Sequence, residues 1–272
     1  MLDIYKMDAD RKVDTKRIKE FKQMVKAEGL LVLKCSGKTL GDEVLGCVAQ
    51  LEPAKHLAIV HGGGVQITDA MKALGMEVRF HDGYRVTDDM AMEVVEQELV
   101  KINRGFVGRL HAFGYDAAPF LYGVFFGDTI EDTGRYGRIT RTECPEVMHA
   151  LLKSRIAVLS PMGTDSCGGK LNLNADDAAV SAAIALGASE VILATDVDGI
   201  FADGELITEI KVSRLEGLME ARIISGGMIA KARACIQAAE AGVLVRIVNG
   251  NCSEAVQLAL DGKDCGTTVL PE

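Results

Sequence analysis

Short apolar runs alternate with amphipathic stretches along most of this chain. The runs at 30–33, 57–60, 156–159, 191–194 and 243–248 predict short buried strands. Apolar residues spaced three or four apart predict helices at 64–74, 89–103, 178–186, 228–241 and 253–260. Strands that alternate with helices indicate βα units, so the predicted fold class is α/β with a mainly parallel central sheet.

Two segments depart from this alternation. The stretch 114–142 has several glycines and charged residues among alternating apolar ones, which is typical of hairpins or a lid rather than a βα unit. The stretch 13–28 predicts an amphipathic helix outside the core pattern, with Ile18, Phe21 and Val25 on one face.

We therefore divide the chain into three predicted parts. An N-terminal helical extension covers 1–29, an N-lobe covers 30–155, and a C-lobe covers 156–272. The boundary between the lobes is expected near 150–160.

The composition narrows the class of protein. The chain has 272 residues, 48% hydrophobic and 25% charged, which indicates a folded domain or two modest lobes. A net charge of −9 argues against a general nucleic-acid binder. No apolar run reaches the roughly 20 residues that span a bilayer, and no secretory leader is visible, so we expect a cytoplasmic protein without membrane partners. Seven scattered cysteines without a CxxC pair favour reduced thiols over a zinc site.

The richest chemistry lies at 172–177, directly before an alanine-rich helix. Asn174 with Asp177 three residues later resembles a variant capping box. Capping does not require Asn172 or Asp176, and these side chains are therefore candidates for holding a ligand at the positive end of the helix.

Two glycine-containing turns follow the first two predicted strands. The sequence at 36–39, Ser-Gly-Lys-Thr, ends like a P-loop, but Val32 stands where that motif needs glycine, so we exclude a Walker A site. Lys34 then lies at the end of the first predicted strand, and its side chain is either solvated or functional. His-Gly-Gly-Gly at 61–64 opens a helix and suits either a tight turn or phosphate binding.

Three further residues or segments are ambiguous when taken singly. Lys231 lies in the first turn of a predicted helix after Gly226-Gly227, which is unfavourable unless an anion is near. Arg85 follows a glycine turn and suits either a ligand carboxylate or a surface salt bridge. The segment 195–199 fits a simple turn and is too short for a calcium loop. The five histidines form no Ser-His-Asp or HExxH arrangement, which disfavours hydrolases and zinc enzymes.

The order of these motifs is more specific than any one of them. Lys-x-x-Gly, His-Gly-Gly-Gly, Gly-x-Arg-Val-Thr, Asn-x-Asn-Ala-Asp, Thr-Asp-x-x-Gly-Ile and Gly-Gly-Met-x-x-Lys occur in that order from residue 34 to residue 231. Together they resemble the amino acid kinase family, and most closely its branch that phosphorylates acetylglutamate. The resemblance covers about 30–267. It implies a three-layer α/β/α sandwich whose N-lobe binds an acidic substrate and whose C-lobe binds ATP.

The resemblance also implies roles for individual residues. The implied catalytic group, in which the carboxylate holds two ammonium groups beside the transferring phosphoryl, is Lys34, Asp176 and Lys231. The implied substrate-binding residues are Gly63, Gly64, Arg85, Asn172 and Asn174. The implied nucleotide-binding residues are Lys34, Gly37, Thr195, Asp196, Gly199, Gly227 and Lys231. No metal ligand is assigned.

The implied reaction is ATP-dependent phosphorylation of the side-chain carboxylate of N-acetyl-L-glutamate, which gives N-acetyl-L-glutamyl 5-phosphate in arginine biosynthesis. ATP and Mg²⁺ are the implied cofactors. A carboxylate is already ionised at pH 7, so no catalytic histidine is needed. Two alternatives stay open: a related acceptor such as a carrier-protein-linked aminoadipate or glutamate, and a non-catalytic amino-acid-sensing domain of the same fold.

Two departures from the family pattern bear on the acceptor. Ser36 stands where the family usually has a glycine, and the segment 121–128 replaces a common glycine-rich stretch. A carrier-borne acceptor would need a basic rim, for which Arg135, Arg138 and Arg141 are the candidates. We expect a small acidic substrate and a homo-oligomer, either a dimer or a hexamer joined through the N-terminal helix. The alternative for this helix, that it folds onto its own N-lobe, stays open.

Overall fold

A computed structural model of the chain describes residues 15–37, 42–48, 50–51, 56–153, 156–224 and 226–272. The helices of this part are α1 (Thr15–Glu28), α2 (Asp42–Val48), α3 (Gly64–Ala73), α4 (Asp89–Ala112), α5 (Pro145–Lys153), α6 (Ala175–Leu186), α7 (Val212–Glu220), α8 (Gly227–Glu240) and α9 (Ser253–Leu260). The strands are β1 (Leu30–Cys35), β2 (His56–His61), β3 (Phe80–His81), β4 (Tyr84–Arg85), β5 (Ala117–Phe120), β6 (Phe125–Thr129), β7 (Tyr136–Thr142), β8 (Ile156–Leu159), β9 (Met162–Thr164), β10 (Lys170–Leu173), β11 (Glu190–Thr195), β12 (Ile200–Ala202), β13 (Glu205–Ile207), β14 (Glu209–Lys211), β15 (Leu244–Asn249) and β16 (Thr267–Leu270).

A central sheet of eight strands organises the molecule, in the order β14-β16-β15-β11-β1-β2-β8-β5. Neighbouring strands are parallel throughout, except for the antiparallel pair β15 and β16. The predicted α/β class with a mainly parallel sheet is confirmed.

Helices cover both faces of this sheet because successive side chains of a strand point to opposite sides. In β1, Leu30 and Val32 pack into the core formed with α1, α5, α6, α7 and α8. Leu31 and Leu33 pack into the opposite core, formed with α2, α4 and α9. The result is the three-layer sandwich that the family resemblance implied.

The predicted strands are all present, but their ends differ. β1, β2 and β11 each continue one or two residues further, to Cys35, His61 and Thr195, because these polar or small residues are buried within the sheet. Helix α4 continues to Ala112, past the predicted end at 103. Asn103 is compatible with a helix interior because its amide donates to the carbonyl of Val158 on the sheet.

Two helix predictions need further correction. Helix α3 ends at Ala73, and Leu74, which was expected on its buried face, is 66% exposed as the C-cap. Helix α6 begins at Ala175 rather than at residue 178, because Asn174 caps it.

The segment 114–142 was predicted to lie outside the βα pattern, and this is wrong for its first strand. β5 pairs in parallel with β8 at the edge of the central sheet. The remainder fits the expectation, since β6 and β7 form an antiparallel hairpin. That hairpin closes with β9 and β10 into a small four-stranded barrel.

Strand order also bears on the predicted lobes. β8, which the proposed boundary assigns to the C-lobe, lies between β2 and β5 of the N-lobe. β10 pairs with β7 in the barrel. The division at 155 and 156 stays a prediction, and the sheet itself is continuous across it.

Helix α1 lies outside the βα alternation, as predicted, and packs on the chain's own core. Phe21 is fully buried, and the helix packs against α5. Val25 packs against the same core, while Ile18 is half-buried. The predicted amphipathic face is therefore real, but its apolar side is covered by the chain's own residues. Residues 13 and 14 lie outside the described part.

We expect Phe21→Ala to lower the free energy of unfolding by about 3–5 kcal/mol, because it removes a fully buried aromatic ring. Urea denaturation followed by far-UV circular dichroism measures this change. The matched control is Phe113→Ala, where the ring is 50% exposed and the expected change is within about 0.5 kcal/mol. Equal effects of the two substitutions would show that α1 is not docked on the core.

Candidate active site

A cavity of about 500 Å³ opens at the carboxyl edge of the central sheet. This is the edge where open parallel sheets usually bind ligands. Segments that follow β1 and β2, the end of β10 and the first turns of α3 and α6 form its walls. The predicted site residues that line it are Lys34, Gly37, Gly63, Gly64, Arg85, Asn172, Asn174, Asp176 and Asp196.

At the wall of this cavity, one carboxylate contacts two lysines. Asp176 Oδ1 lies 2.9 Å from Lys34 Nζ, and Asp176 Oδ2 accepts a hydrogen bond of 2.8 Å from Lys231 Nζ. All three side chains are largely buried, with exposed fractions of 8% for Lys34, 13% for Asp176 and 7% for Lys231.

Local sequence explains why these three groups meet. Lys34 follows Leu30 and Val32 at alternate positions of β1, so its side chain points to the face that α6 covers. Helix α6 is rich in alanine, and small side chains let it lie close to both β1 and α8. Asp176 lies in the first turn of α6, and Lys231 is the fifth residue of α8 rather than in its first turn as predicted.

The charges of this group are mutually dependent. Burial alone would raise the pKa of Asp176, but the ammonium groups of Lys34 and Lys231 outweigh that effect and hold the pKa well below its ordinary value. Asp176 is therefore a carboxylate at every physiological pH. It is also the anion that offsets the unfavourable position of Lys231 near the start of a helix.

The capping interpretation of Asn174 is confirmed. Its Oδ1 accepts from the backbone N–H of Asp176 at 2.7 Å and of Asp177 at 3.2 Å. Asn174 also lines the cavity, so a role in substrate binding stays a prediction. Asp177 differs from Asp176: burial and the neighbouring charge of Asp176 raise the pKa of Asp177 to about 6.

The two glycine turns are packed against each other. Gly62 N donates to the carbonyl of Cys35 at 2.7 Å, and Gln66 Nε2 donates to the carbonyl of Gly37 at 2.7 Å. A Cβ on Gly63 would lie 2.7 Å from Leu99 Cδ2. Close approach thus explains part of the glycine requirement. The N-terminus of α3, which has no side-chain cap, still presents backbone N–H groups beside the cavity.

The buried ring of His61 stabilises the start of the glycine turn at 62–64. Its Nδ1 lies 3.0 Å from the carbonyl of Gly62, and Asn103 Nδ2 lies 3.2 Å from its Nε2. Since an amide nitrogen donates, Nε2 accepts, and the ring proton is assigned to Nδ1. Burial lowers the pKa of His61 to about 4, so the ring is neutral and plays a structural part.

Arg85 reaches the cavity from the β3–β4 hairpin, and it is buried rather than on the surface. Its Nη2 donates to the carbonyl of Gly64 at 3.0 Å and to Thr68 Oγ1 at 2.8 Å. Its guanidinium also lies over the ring of Phe80, 5.0 Å from the centroid.

Asn172 is connected to Arg85 through one residue of the Arg-Val-Thr motif. Asn172 Nδ2 donates to Thr87 Oγ1 at 3.2 Å, and Thr87 Oγ1 donates to the carbonyl of Arg85 at 2.8 Å. The two residues predicted to bind the substrate's carboxylates are thus held in one network.

The predicted nucleotide residues are less closely grouped. Thr195 ends β11 and donates to Asp196 Oδ1 at 3.3 Å, while Gly227 begins α8. Gly199 has a φ of +157°, and a Cβ there would lie 2.4 Å from Thr267 Oγ1, so its glycine is explained by packing. Gly199, Gly227, Thr195 and Lys231 are not among the residues that line the cavity. Lys38 and Thr39 lie outside the described residues.

Thr68, Phe80 and Tyr136 are among the cavity residues that sequence reasoning missed. Thr68 is one turn into α3, where its spacing from Gly64 was a usable signal. Phe80 lies on the two-residue strand β3, which precedes the strand of Arg85. Tyr136 belongs to a segment that was predicted as hairpins or a lid and was considered for its arginines alone. Neither residue belongs to a motif.

The model of the amino acid kinase family matches residues 29–249. The chain belongs to the amino acid kinase family. Its curated relatives include the acetylglutamate kinase of Rubrobacter xylanophilus, 37% identical over 79% of this chain and 87% of the relative. The acetylglutamate kinase of Pelotomaculum thermopropionicum is 35% identical over 88% of this chain and 91% of the relative.

Solved structures show the same fold. The protein smu.665 of Streptococcus mutans has a TM-score of 0.77 and 25% identity, covering 89% of this chain and 98% of that one. Carbamate kinase of Giardia lamblia bound to AMP-PNP has a TM-score of 0.67 and 16% identity, covering 90% of this chain and 99% of that one. At that lower identity the likeness shows the fold alone. Within the described part, no helix is long and apolar enough to cross a membrane.

We expect Asp177→Asn to be more stable than the unsubstituted chain at pH 8, by about 3 kcal/mol, and to lose this advantage near pH 4. The native carboxyl, with its pKa raised from 3.8 to about 6, binds more protons than the unfolded one between these values. The contribution of this carboxyl to the free energy of unfolding therefore falls as pH rises from 4 to 6. Urea denaturation across this range measures the difference.

The matched control for this pH series is Asp116→Asn, which removes an exposed carboxylate. We expect its effect on stability to be independent of pH within about 0.5 kcal/mol. A pH-independent difference for Asp177→Asn as well would contradict the raised pKa.

Proposed function

We propose that this chain transfers the γ-phosphoryl group of ATP to the side-chain carboxylate of N-acetyl-L-glutamate, giving N-acetyl-L-glutamyl 5-phosphate. The observation that carries the proposal is the buried group of Lys34, Asp176 and Lys231, in which Lys34 and Asp176 line the cavity and Lys231 contacts Asp176. Two ammonium groups held by one carboxylate leave an excess positive charge, which suits a reaction between two anions.

The acidic acceptor would bind between Arg85, Asn172 and the N-terminus of α3. Arg85 is already oriented by Gly64 and Thr68, and a preorganised guanidinium binds a carboxylate at low entropic cost. The relatives named acetylglutamate kinase, at 35–37% identity over most of the chain, support N-acetylglutamate as this acceptor.

The chemical step needs no proton transfer by the protein. A carboxylate oxygen of the acceptor forms a bond to the γ-phosphorus, while the bond from that phosphorus to the β–γ bridging oxygen breaks. The electron pair leaves with ADP, and the product is an acyl phosphate. Lys34 and Lys231 would neutralise the charge that develops on the transferring group, and Asp176 would fix their positions.

ATP would lie towards α8 and the end of β11, with Gly37, Thr195, Asp196, Gly199 and Gly227 in the roles implied by the family. No cluster of three or more acidic, histidine or cysteine side chains suited to a metal occurs among the described residues. Mg²⁺ commonly enters kinase sites on the nucleotide phosphates with one or two carboxylates. We propose that it does so here, where it would neutralise phosphate charge.

Two of the three arginines in the basic rim considered for a carrier-borne acceptor already form ion pairs. Arg135 contacts Asp89 at 2.8 Å, and Arg141 pairs with Glu143 and lies over Phe126. Arg138 lies close enough to Asp177 to lower its pKa in part. These contacts favour a small free acid. The sensing alternative is disfavoured because both lysines and Asp176 are present and in contact.

The cytoplasmic location, the two-lobe division and the dimer or hexamer stay predictions. Helix α1 has its apolar face against α5, so association through this helix would use its outer, charged face. Light scattering of the full chain measures the assembly state directly.

We expect ADP release from Mg²⁺-ATP in the presence of N-acetylglutamate, together with an acyl phosphate that hydroxylamine traps as a hydroxamate. Glutamate, N-acetylaspartate and aminoadipate serve as comparison acceptors and should react at least about tenfold less well. Trapped product from another acid, with none from N-acetylglutamate, would overturn the proposed acceptor. ADP release without any trapped product would overturn carboxylate phosphorylation.

We expect Lys34→Met and Lys231→Met each to lower kcat/KM by about 10²–10³, since each removes one preorganised positive charge from the transition state. The matched control is Lys72→Met, which removes an exposed lysine from α3 and should change kcat/KM less than twofold. Thermal denaturation of each variant separates loss of activity from loss of fold. Near-normal activity of either buried-lysine variant would remove that lysine from the mechanism.

A further inference from the structure

Tyr136 is a cavity residue that neither a sequence motif nor the proposed mechanism uses. It begins β7, and only 7% of its surface is exposed, yet it lines the cavity with Arg85, Asn172 and Asn174. Its hydroxyl forms a hydrogen bond with the side chain of Asn174. Because Asn174 Oδ1 already accepts from two backbone N–H groups, the Asn174 amide nitrogen is the donor in this contact, and the phenol can still donate its own proton to a ligand.

The sheet register puts Tyr136 beside a predicted substrate residue. In the parallel pair of β10 and β7, Asn172 is the partner of Tyr136. Partnered residues of neighbouring strands project to the same side of a sheet. Tyr136 and Asn172 therefore present their side chains to the cavity next to each other.

A second contact fixes the ring. The ring of Tyr136 lies 5.2 Å from that of Tyr84, at an interplanar angle of 40°. Tyr84 directly precedes Arg85 on β4, so this contact ties Tyr136 to the strand that carries the guanidinium. Arg85 and Tyr136 are also close enough to interact electrostatically.

The environment keeps the phenol protonated. Burial and the nearby charge of Asp177 both raise the pKa of Tyr136 above its ordinary value. At neutral pH the group is therefore protonated and can donate a hydrogen bond, and Tyr136 lines a cavity that is expected to hold an acid.

We propose that the Tyr136 hydroxyl donates a hydrogen bond to the carboxylate of the acidic acceptor that Arg85 binds, which makes Tyr136 a further substrate-binding residue. This inference rests on the proposed function for the identity of the acid. A purely structural role for Tyr136 would depend on the ring, whereas the proposed role depends on the hydroxyl.

The test is Tyr136→Phe, which removes the hydroxyl and keeps the ring. We expect the KM for N-acetylglutamate to rise about tenfold, the cost of losing one hydrogen bond to a charged group, while the KM for ATP changes less than twofold. Calorimetric titration of N-acetylglutamate in the presence of Mg²⁺-ADP should show the same loss in affinity.

The matched control is Tyr84→Phe, the same chemical change on the ring that Tyr136 contacts. Tyr84 is not among the cavity-lining residues, and its substitution should leave both KM values within twofold. A KM for N-acetylglutamate within twofold of wild type in Tyr136→Phe would overturn the proposal. Equal rises in both variants would also overturn it, because they would assign the effect to ring packing.

Wild-type data separate this proposal from the proposed function. If the wild type phosphorylates N-acetylglutamate and Tyr136→Phe behaves like it, only the role of Tyr136 fails. If the wild type binds a different acid, and Tyr136→Phe weakens that binding tenfold, the role of Tyr136 stands and the proposed acceptor fails. If calorimetry detects no acid binding to the wild type, both fail.

Discussion

The buried carboxylate of Asp176 is the constraint on which this site depends. Two lysines with less than a tenth of their side chains exposed would repel each other without an anion between them. Asp176 supplies that anion, and each of its oxygens contacts one lysine. These contacts require that β1, α6 and α8 meet at one point. The charge balance of the cavity therefore depends on the packing of these three elements.

The same condition explains the alanines of α6. Ala178, Ala179, Ala182 and Ala183 are fully buried, and they allow the helix to lie against both the sheet and α8. Larger residues there would increase the distance between Asp176 and at least one lysine. The free energy of a buried ion pair is sensitive to distance, because its desolvation cost is offset only by close contact. Small side chains remote from the cavity thus determine its electrostatics.

Much of the fold could be predicted from the sequence, because apolar periodicity reports burial directly. The predictions failed at two elements for different reasons. Asn103 is a polar residue inside α4, where it bonds to Val158. β5 is only four residues long and contains Pro119 but no β-branched residue, so it does not resemble a core strand. Within the site, Lys34, Asp176 and Lys231 were found through ordered motifs. Tyr136 and Phe80 were not found in this way. The position of Tyr136 in the cavity depends on strand register, and that of Phe80 depends on a hairpin of two-residue strands. No local sequence pattern encodes either feature.

Glycine at 62–64 can be required by close packing or by the approach of a ligand, and these two explanations are usually treated as alternatives. A Cβ on Gly62 would lie 3.1 Å from the backbone nitrogen of Gly37, and a Cβ on Gly63 would lie 2.7 Å from Leu99 Cδ2. Either side chain would require its neighbour to shift, which is a packing reason for glycine. A Cβ on Gly64 would meet no atom within 4 Å, so packing gives no reason for glycine at that position. Gly64 opens α3 beside the cavity, and its carbonyl accepts from Arg85. Packing thus fixes the first two residues of the turn, and only the third is left for a ligand to explain.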